Sequence, residues 1–169
     1  MSGLGTLAPS AKWVLSVGAM VLLSGTFELP LLDRDEPRFS RATVEMSERG
    51  DWIIPYFNGD YRFDKPPLTY WWMGIHHWLF GVNEFSSRLH AIISTLLVAG
   101  WMILRGRQWV GEEGAKWGAL IWLLNLQIWQ HGRLALADMP MILGVCLAMD
   151  GLWTVSYTHL RAHETSLQL

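Results

Sequence analysis

Three groups of ionisable residues could do chemistry in this 169-residue chain. The first is Asp33-Arg34-Asp35-Glu36-Pro37-Arg38, the second Asp64-Lys65-Pro66-Pro67-Leu68, and the third the single Asp138, far downstream. These types suit the transfer of a sugar from a lipid phosphate. A phosphate leaves without a general acid, but its growing charge needs cations, and Lys65 and Arg38 can supply them. The acceptor needs a carboxylate to take or orient its proton, and Asp35 is the candidate.

Each group also has a plainer reading. Acids beside Pro37 cap a helix, Lys65-Pro66-Pro67 starts one under a snorkelling lysine, and Asp138 is an N-cap. His76 and His77 lie about 100° apart on a helix, which suits interface packing better than a metal pair. Glu28 and Asp150 sit near the ends of apolar runs, where solvation or pairing is the ordinary fate.

The elements that must position these groups are membrane elements. Hydrophobic residues make up 51% of the chain and charged residues 17%, against roughly 25% charged in soluble domains. The eleven Trp residues suit the boundary between lipid and water. A net charge of −2 excludes a strongly basic nucleic-acid binder, and one cysteine, Cys146, excludes an internal disulfide framework and a multi-cysteine zinc site. The mean hydropathy of +0.20 is modest because a long polar insert dilutes the apolar runs.

Four runs are candidate spans: Trp13–Leu32, Phe85–Leu104, Trp117–Gly132 and Met139–Val155. The first two reach the length a bilayer needs, and the last two are short. The first run is too long for a signal peptide and no small-residue cleavage site follows, so a retained helix is expected. Four spans place residues 33–84 and 133–138 on one side, and 105–116 with both termini on the other. Charge does not orient them. Arg105, Arg107 and Lys116 lie in one loop, while Arg34, Arg38, Arg41, Arg49, Arg62 and Lys65 lie among eight acids in the other.

Inside the long loop, Pro37 suits a first helical turn, Phe39, Ala42 or Thr43, and Met46 share one face, and Gly50 is a stop. Such an amphipathic helix suits the membrane interface. Trp52–Phe57 and Tyr61–Phe63 flank Asn58-Gly59, a hairpin signal. Pro66-Pro67 then opens an aromatic helix that Gly81 closes. After Val155 the tail SYTHLRAHETSLQL is polar, has no apolar period, and is similar to translated adapter sequence; no function is assigned to it, and the native chain is expected to continue differently.

The segment DRDEPRFSRATVEMSERGDWIIPYFNGDYRFDKPPLTYWWMGIHHWLFG resembles the first external loop of the aminoarabinose lipid A transferase and protein O-mannosyltransferase-like family, the polytopic GT-C glycosyltransferases. NEFSSRLHAIISTLL and RLALADMP resemble it too, so the likeness covers about residues 12–155. It rests on four elements in order: Asp-Glu-x-Arg-aromatic, Gly-Asp-Trp-Ile-x-Pro, acid-Lys-Pro-Pro, and Phe-Gly-x-Asn-Glu-Phe. Phe39 stands where tyrosine is common, and Asp64 where glutamate is.

The resemblance implies an all-α polytopic membrane protein of about four spans here, with juxtamembrane helices in an external loop. It implies a glycosyltransferase that moves a sugar from a polyprenyl phosphate to a lipid A-like or protein acceptor, with inversion. Asp35, Glu36 and Asp138 match acids at the catalytic site. Arg38 and Lys65 match cations near the carrier phosphate. Asp64 matches a ligand for a divalent metal whose histidine partner would lie beyond the chain. The loop would face the periplasm or exterior of a bacterial inner membrane. Relatives of this type have more spans, so an N-terminal part, inactive alone, is expected. The competing reading is a non-catalytic membrane subunit or lipid-binding module whose charged loop docks a partner.

Overall fold

The computed structural model describes residues 9–32 and 34–166, with side chains from Ala11 to Tyr157. Asp33, of the first ionisable group, lies outside the described residues. Six helices and one small ribbon follow in order: α1 (Pro9–Leu23), α2 (Asp35–Arg49), β1 (Tyr56–Phe57), β2 (Asp60–Tyr61), α3 (Leu68–Phe80), α4 (Glu84–Leu124), α5 (Leu126–His131) and α6 (Asp138–Ser166).

The apolar runs become helices with shifted limits. The first ends at Leu23, nine residues short of the expected Leu32. Ser24 and Thr26 turn their hydroxyls back onto the carbonyls of Val21 and Leu23, and Gly25 takes φ 72°, so the helix gives way to turns. The second and third runs share α4, and the expected 105–116 loop is helical on both sides of Gly111 (φ 75°, ψ 172°). That conformation is open only to glycine. The chain reverses there. A Cβ on Gly106 would lie 3.5 Å from that of Ala115, one on Gly118 would lie 3.8 Å from Met102, and the Trp122 indole donates to the Thr95 carbonyl. The two halves of α4 are therefore antiparallel neighbours. Asn125 then breaks the helix and caps α5 with its side chain. The last run continues as helix past Val155 to Ser166, because no glycine or proline interrupts it after Gly151.

Among the described residues two helices are long and apolar enough to cross a membrane, Glu84–Leu124 and Asp138–Tyr157, and Ala11–Leu23 is shorter. α1 and α6 both pack on α4. Small residues allow the approach: Ala11, Ala99 and Ala119 are buried with Leu22, Ile92 and Leu123 in one cluster. A Cβ on Gly18 would sit 2.6 Å from Leu123, so an alanine there forces that contact apart.

The long loop folds as its sequence suggests. Phe39, Ala42, Thr43 and Met46 form the buried face of α2, against Tyr70 and Met73 of α3 and Ala135. Gly50 ends α2 in the left-handed conformation. The ribbon is shorter than the flanking aromatic runs and pairs Tyr56 with Tyr61 and Phe57 with Asp60 around Asn58-Gly59. α3 starts after Pro67 and stops at Gly81. His76 and His77 are buried, as interface packing requires.

Candidate functional site

Consecutive helical residues point about 100° apart, and in the first turn of α2 this separates two adjacent acids. Glu36 turns inward and is fully buried, while the Asp35 side chain is 51% exposed and lies 3.7 Å from Arg38 one turn on. The Glu36 carboxylate accepts from Arg88 Nε (2.9 Å) and the Ala135 amide (2.7 Å) at Oε1. It accepts from Arg88 Nη2 (3.0 Å) and the Leu32 amide (2.6 Å) at Oε2. Arg88 spends its other N–H groups on the carbonyls of Leu29 and Pro30, each at 2.7 Å. A carboxylate with four donors and no exposure is a clamp: it ties α2 to α4, to the turn after α1 and to the segment before α6. Asp35 keeps the accessible oxygen atoms that proton transfer needs.

The second group is held by the ribbon. Asn58 (φ 54°) and Gly59 (φ 86°) both take left-handed conformations. Their amides point out of the turn to form an anion-binding concavity, which the Glu45 carboxylate fills at 2.9 and 3.1 Å. Burial pushes the Glu45 pKa up, but these amides and Arg41 outweigh it, and the net shift is down. Beyond the ribbon, the buried Arg62 donates to the Tyr70 hydroxyl (3.1 Å), lies over the rings of Phe39 and Phe57, and approaches Asp64 to 3.5 Å. Burial raises the Tyr70 pKa against the pull of Arg62, so the phenol stays protonated as its neutral end. Asp64 and Lys65 are exposed on the following bend.

Asp138 opens α6, half-buried, 3.9 Å from His131 of α5. Three residues ahead of it the Ala135 amide is fixed by Glu36. Arg133 lies over Trp129 and donates to the Ser24 carbonyl. Burial and the charge of Arg88 lower its pKa from the ordinary guanidinium value. The ends of α1 and α5 and the starts of α2, α4 and α6 thus meet at one end of the helix bundle, opposite Gly111.

No three His, Cys, Asp or Glu side chains converge on a metal-sized site among the described residues, and Asp64 is already engaged by Arg62. With the expected histidine partner lying beyond these residues, Asp64 alone would offer one carboxylate to a divalent metal, and the steps argued below involve only this chain's own side chains. A cavity of about 700 Å³ opens between α2 and α3, walled by Trp52, Trp71 and Trp78. Its α2 lining includes Val44 and Ser47, roughly 120–180° around the helix from Asp35, so it is not shared with the acid.

Sequence reasoning missed the roles of Glu45, Arg62 and Arg88. Arg88 carried a signal, since a charge inside an apolar run needs a partner. Nothing in the spacing named Glu36 as that partner.

Comparison with known proteins places this arrangement. A protein of Aquifex aeolicus without assigned function is 33% identical over 151 residues, covering 85% of this chain and 36% of that protein. The undecaprenyl phosphate-alpha-4-amino-4-deoxy-L-arabinose arabinosyl transferase of Yersinia enterocolitica is 37% identical over 109 residues, covering 64% of this chain and 20% of its own. The crystal structure of ArnT from Cupriavidus metallidurans in the apo state superposes with a TM-score of 0.71 at 27% identity, over 78% of this chain and 25% of that one. Its form bound to undecaprenyl phosphate gives 0.70 at 24% identity, over 83% and 26%. The chain therefore spans between a fifth and about a third of the length of these relatives. The family described as dolichyl-phosphate-mannose-protein mannosyltransferase matches residues 8–168, nearly the whole sequence, and the chain belongs to that family.

Proposed function

We propose that the chain forms the opening part of a membrane glycosyltransferase that takes a sugar from a polyprenyl phosphate and passes it to a lipid A-like acceptor. A protein acceptor is the alternative within the same chemistry. The observation that carries this reading is the Glu36–Arg88–Ala135 clamp. It brings Asp35 and Asp138 to the same end of the bundle as Lys65, in a family of sugar transferases.

In this reading the acceptor oxygen attacks the anomeric carbon from the face opposite the phosphate, and its proton passes to Asp35. The bond between that carbon and the phosphate oxygen breaks with inversion. Lys65 and Arg38 take the charge that develops on the departing phosphate. Asp138 orients the acceptor, and Glu36 holds the acids in place. The name of the Yersinia relative and the undecaprenyl phosphate bound by the Cupriavidus protein support this donor class.

Four membrane passages follow from the same reading: α1, the two arms of α4 and α6, with residues 33–84 outside a bacterial inner membrane. A lipid-phosphate site needs enclosing walls, and the longer relatives have more chain to build them; the 169 residues alone are expected to insert without turnover. The test is Asp35→Asn in the whole natural protein, assayed with a radiolabelled lipid-linked sugar. Transfer should fall at least a hundredfold, on the scale of a lost general base, while undecaprenyl phosphate still binds. Normal transfer by the variant would exclude Asp35 as the base and favour a docking role for the loop.

A further inference from the structure

The chain leaving the ribbon carries a stack of aromatic rings on its outer side. The Arg62 amide donates to the Pro55 carbonyl at 2.8 Å, so the extended pairing runs on past Tyr61. Side chains alternate along such a segment. Arg62 is accordingly buried, while Tyr61 and Phe63 turn outward, 64% and 75% exposed. Their rings stack, with 5.6 Å between centroids and 18° between planes. Tyr61 also meets Tyr56, its partner across the ribbon, at 5.1 Å. The Arg49 guanidinium lies over the Tyr56 ring at 4.0 Å. One end of the stack is therefore capped by a cation, and the other ends at Phe63, on which no further ring lies among the described residues. Glu45 pins the tip of the ribbon to α2, so the rings are held in place before anything binds.

Exposed flat apolar rings call for a cover. Asp64 and Lys65 follow Phe63 directly and are exposed, so the cover must be apolar on one face and polar at its rim. A sugar ring has that form. Its C–H groups, polarised by the neighbouring oxygens, suit the negative face of an aromatic ring, and its hydroxyls stay in water. The place of Phe63 in the chain identifies which sugar. Two residues span at most about 7 Å, so Phe63 lies close to Lys65, the lysine assigned to the carrier phosphate. In a polyprenyl-phosphate sugar a single oxygen joins that phosphate to the ring.

We propose that the open face of Phe63, backed by Tyr61 and Tyr56, is the stacking surface for the sugar of the lipid-linked donor. This rests on the transferase reading above and deepens it. It gives the sugar ring a contact of its own beside those made to the phosphate.

The experiment compares two probes binding to the whole natural protein in nanodiscs. One is undecaprenyl phosphate, and the other is the same carrier bearing 4-amino-4-deoxy-L-arabinose, the sugar in the name of the Yersinia relative. Phe63→Leu should weaken binding of the sugar-bearing carrier roughly three- to tenfold, the worth of one aromatic stacking contact, and leave the bare carrier unchanged. Phe63→Tyr, which keeps the flat face, should bind both as the unmodified protein does. Tyr61→Ala, which removes the ring behind Phe63, should give a smaller loss confined to the same probe. A ring that only anchors the loop in the lipid interface, or packs on the rest of the chain, would change both probes alike. Equal loss of both probes in Phe63→Leu, or loss of neither, would overturn the stacking role. Failure of the unmodified protein to bind bare undecaprenyl phosphate would instead overturn the donor assignment itself.

Discussion

At the scale of single residues, the division of labour between Asp35 and Glu36 is set by how many donors each carboxylate meets. Glu36 meets four and has no exposed surface; Asp35 meets one arginine at 3.7 Å and water. Buried ion pairs are costly to break on one side, because the orphaned charge stays in a poor solvent. Arg88→Met should therefore lower unfolding free energy by about 3–5 kcal/mol, read as a fall in thermal midpoint in detergent. Glu36→Leu with Arg88→Met should recover part of it, since no unpaired charge remains. An unchanged midpoint in Arg88→Met would mean that the clamp contributes nothing to stability. Sequence alone could not separate the two acids. The helix-start signal around Pro37 was plain, but the face that Glu36 takes depends on Arg88, 52 positions away.

At the scale of elements, α2, the ribbon and α3 behave as one unit with an acid-sensitive seam. His77 is buried, and its Nε2 lies 2.9 Å from the Ser87 hydroxyl of α4. Burial, with the nearby His76, pushes its pKa down to about 4. A histidine held below its unfolded value near 6.5 stabilises the fold fully above 6.5, and that contribution is lost as pH falls from 6.5 towards 4. Glu45, also depressed, keeps its contribution above its unfolded pKa and loses it only as pH drops through the lower folded value. Tryptophan fluorescence followed by acid titration should show a first loosening between about pH 6.5 and 4, reduced in His77→Gln, with the remainder owed to His76, whose pKa burial also lowers. The same transition in that variant would assign the seam to another group. Much of this unit was legible: Phe39, Ala42, Thr43 and Met46 announced the α2 face, and Asn58-Gly59 the turn. The reversal within 105–116 was also expected, but not its contraction to one corner at Gly111, because no turn residue besides glycine marks the point where helix gives way. Its φ of 75° sets where the chain turns.

At the scale of the whole molecule, α1 and the arms of α4 alternate in direction, so the two ends of the bundle collect different residues. Asp35, Lys65 and Asp138 gather at one end, and Gly111 with Arg107 and Gln108 marks the other. Orientation follows a simple test. Single cysteines at Asn58 and Gln108, introduced after replacing Cys146, are exposed in intact cells to a thiol reagent that cannot cross membranes. Asn58→Cys should label and Gln108→Cys should not; the reverse pattern would invert the proposed topology. The mostly helical, apolar character of the chain was readable from hydropathy, whereas the limits of α1 were not. Ser24, Gly25 and Thr26 end that helix through hydroxyl bonds and a left-handed turn that an apolar window averages away.

The clamp also orders events during synthesis. Glu36 leaves the ribosome 52 residues before its arginine and 99 before the Ala135 amide. At roughly 5–20 residues per second, its carboxylate waits about 5–20 seconds for the last donor. Until then the acid must remain hydrated at the membrane surface, and α2 has nothing to hold it at its final depth. Asp35 and Asp138 can meet only when the start of α6 has emerged. The proposed site is thus the last feature of this region to assemble, and a nascent chain stalled before Ala135 would carry its acids without the clamp that gathers them.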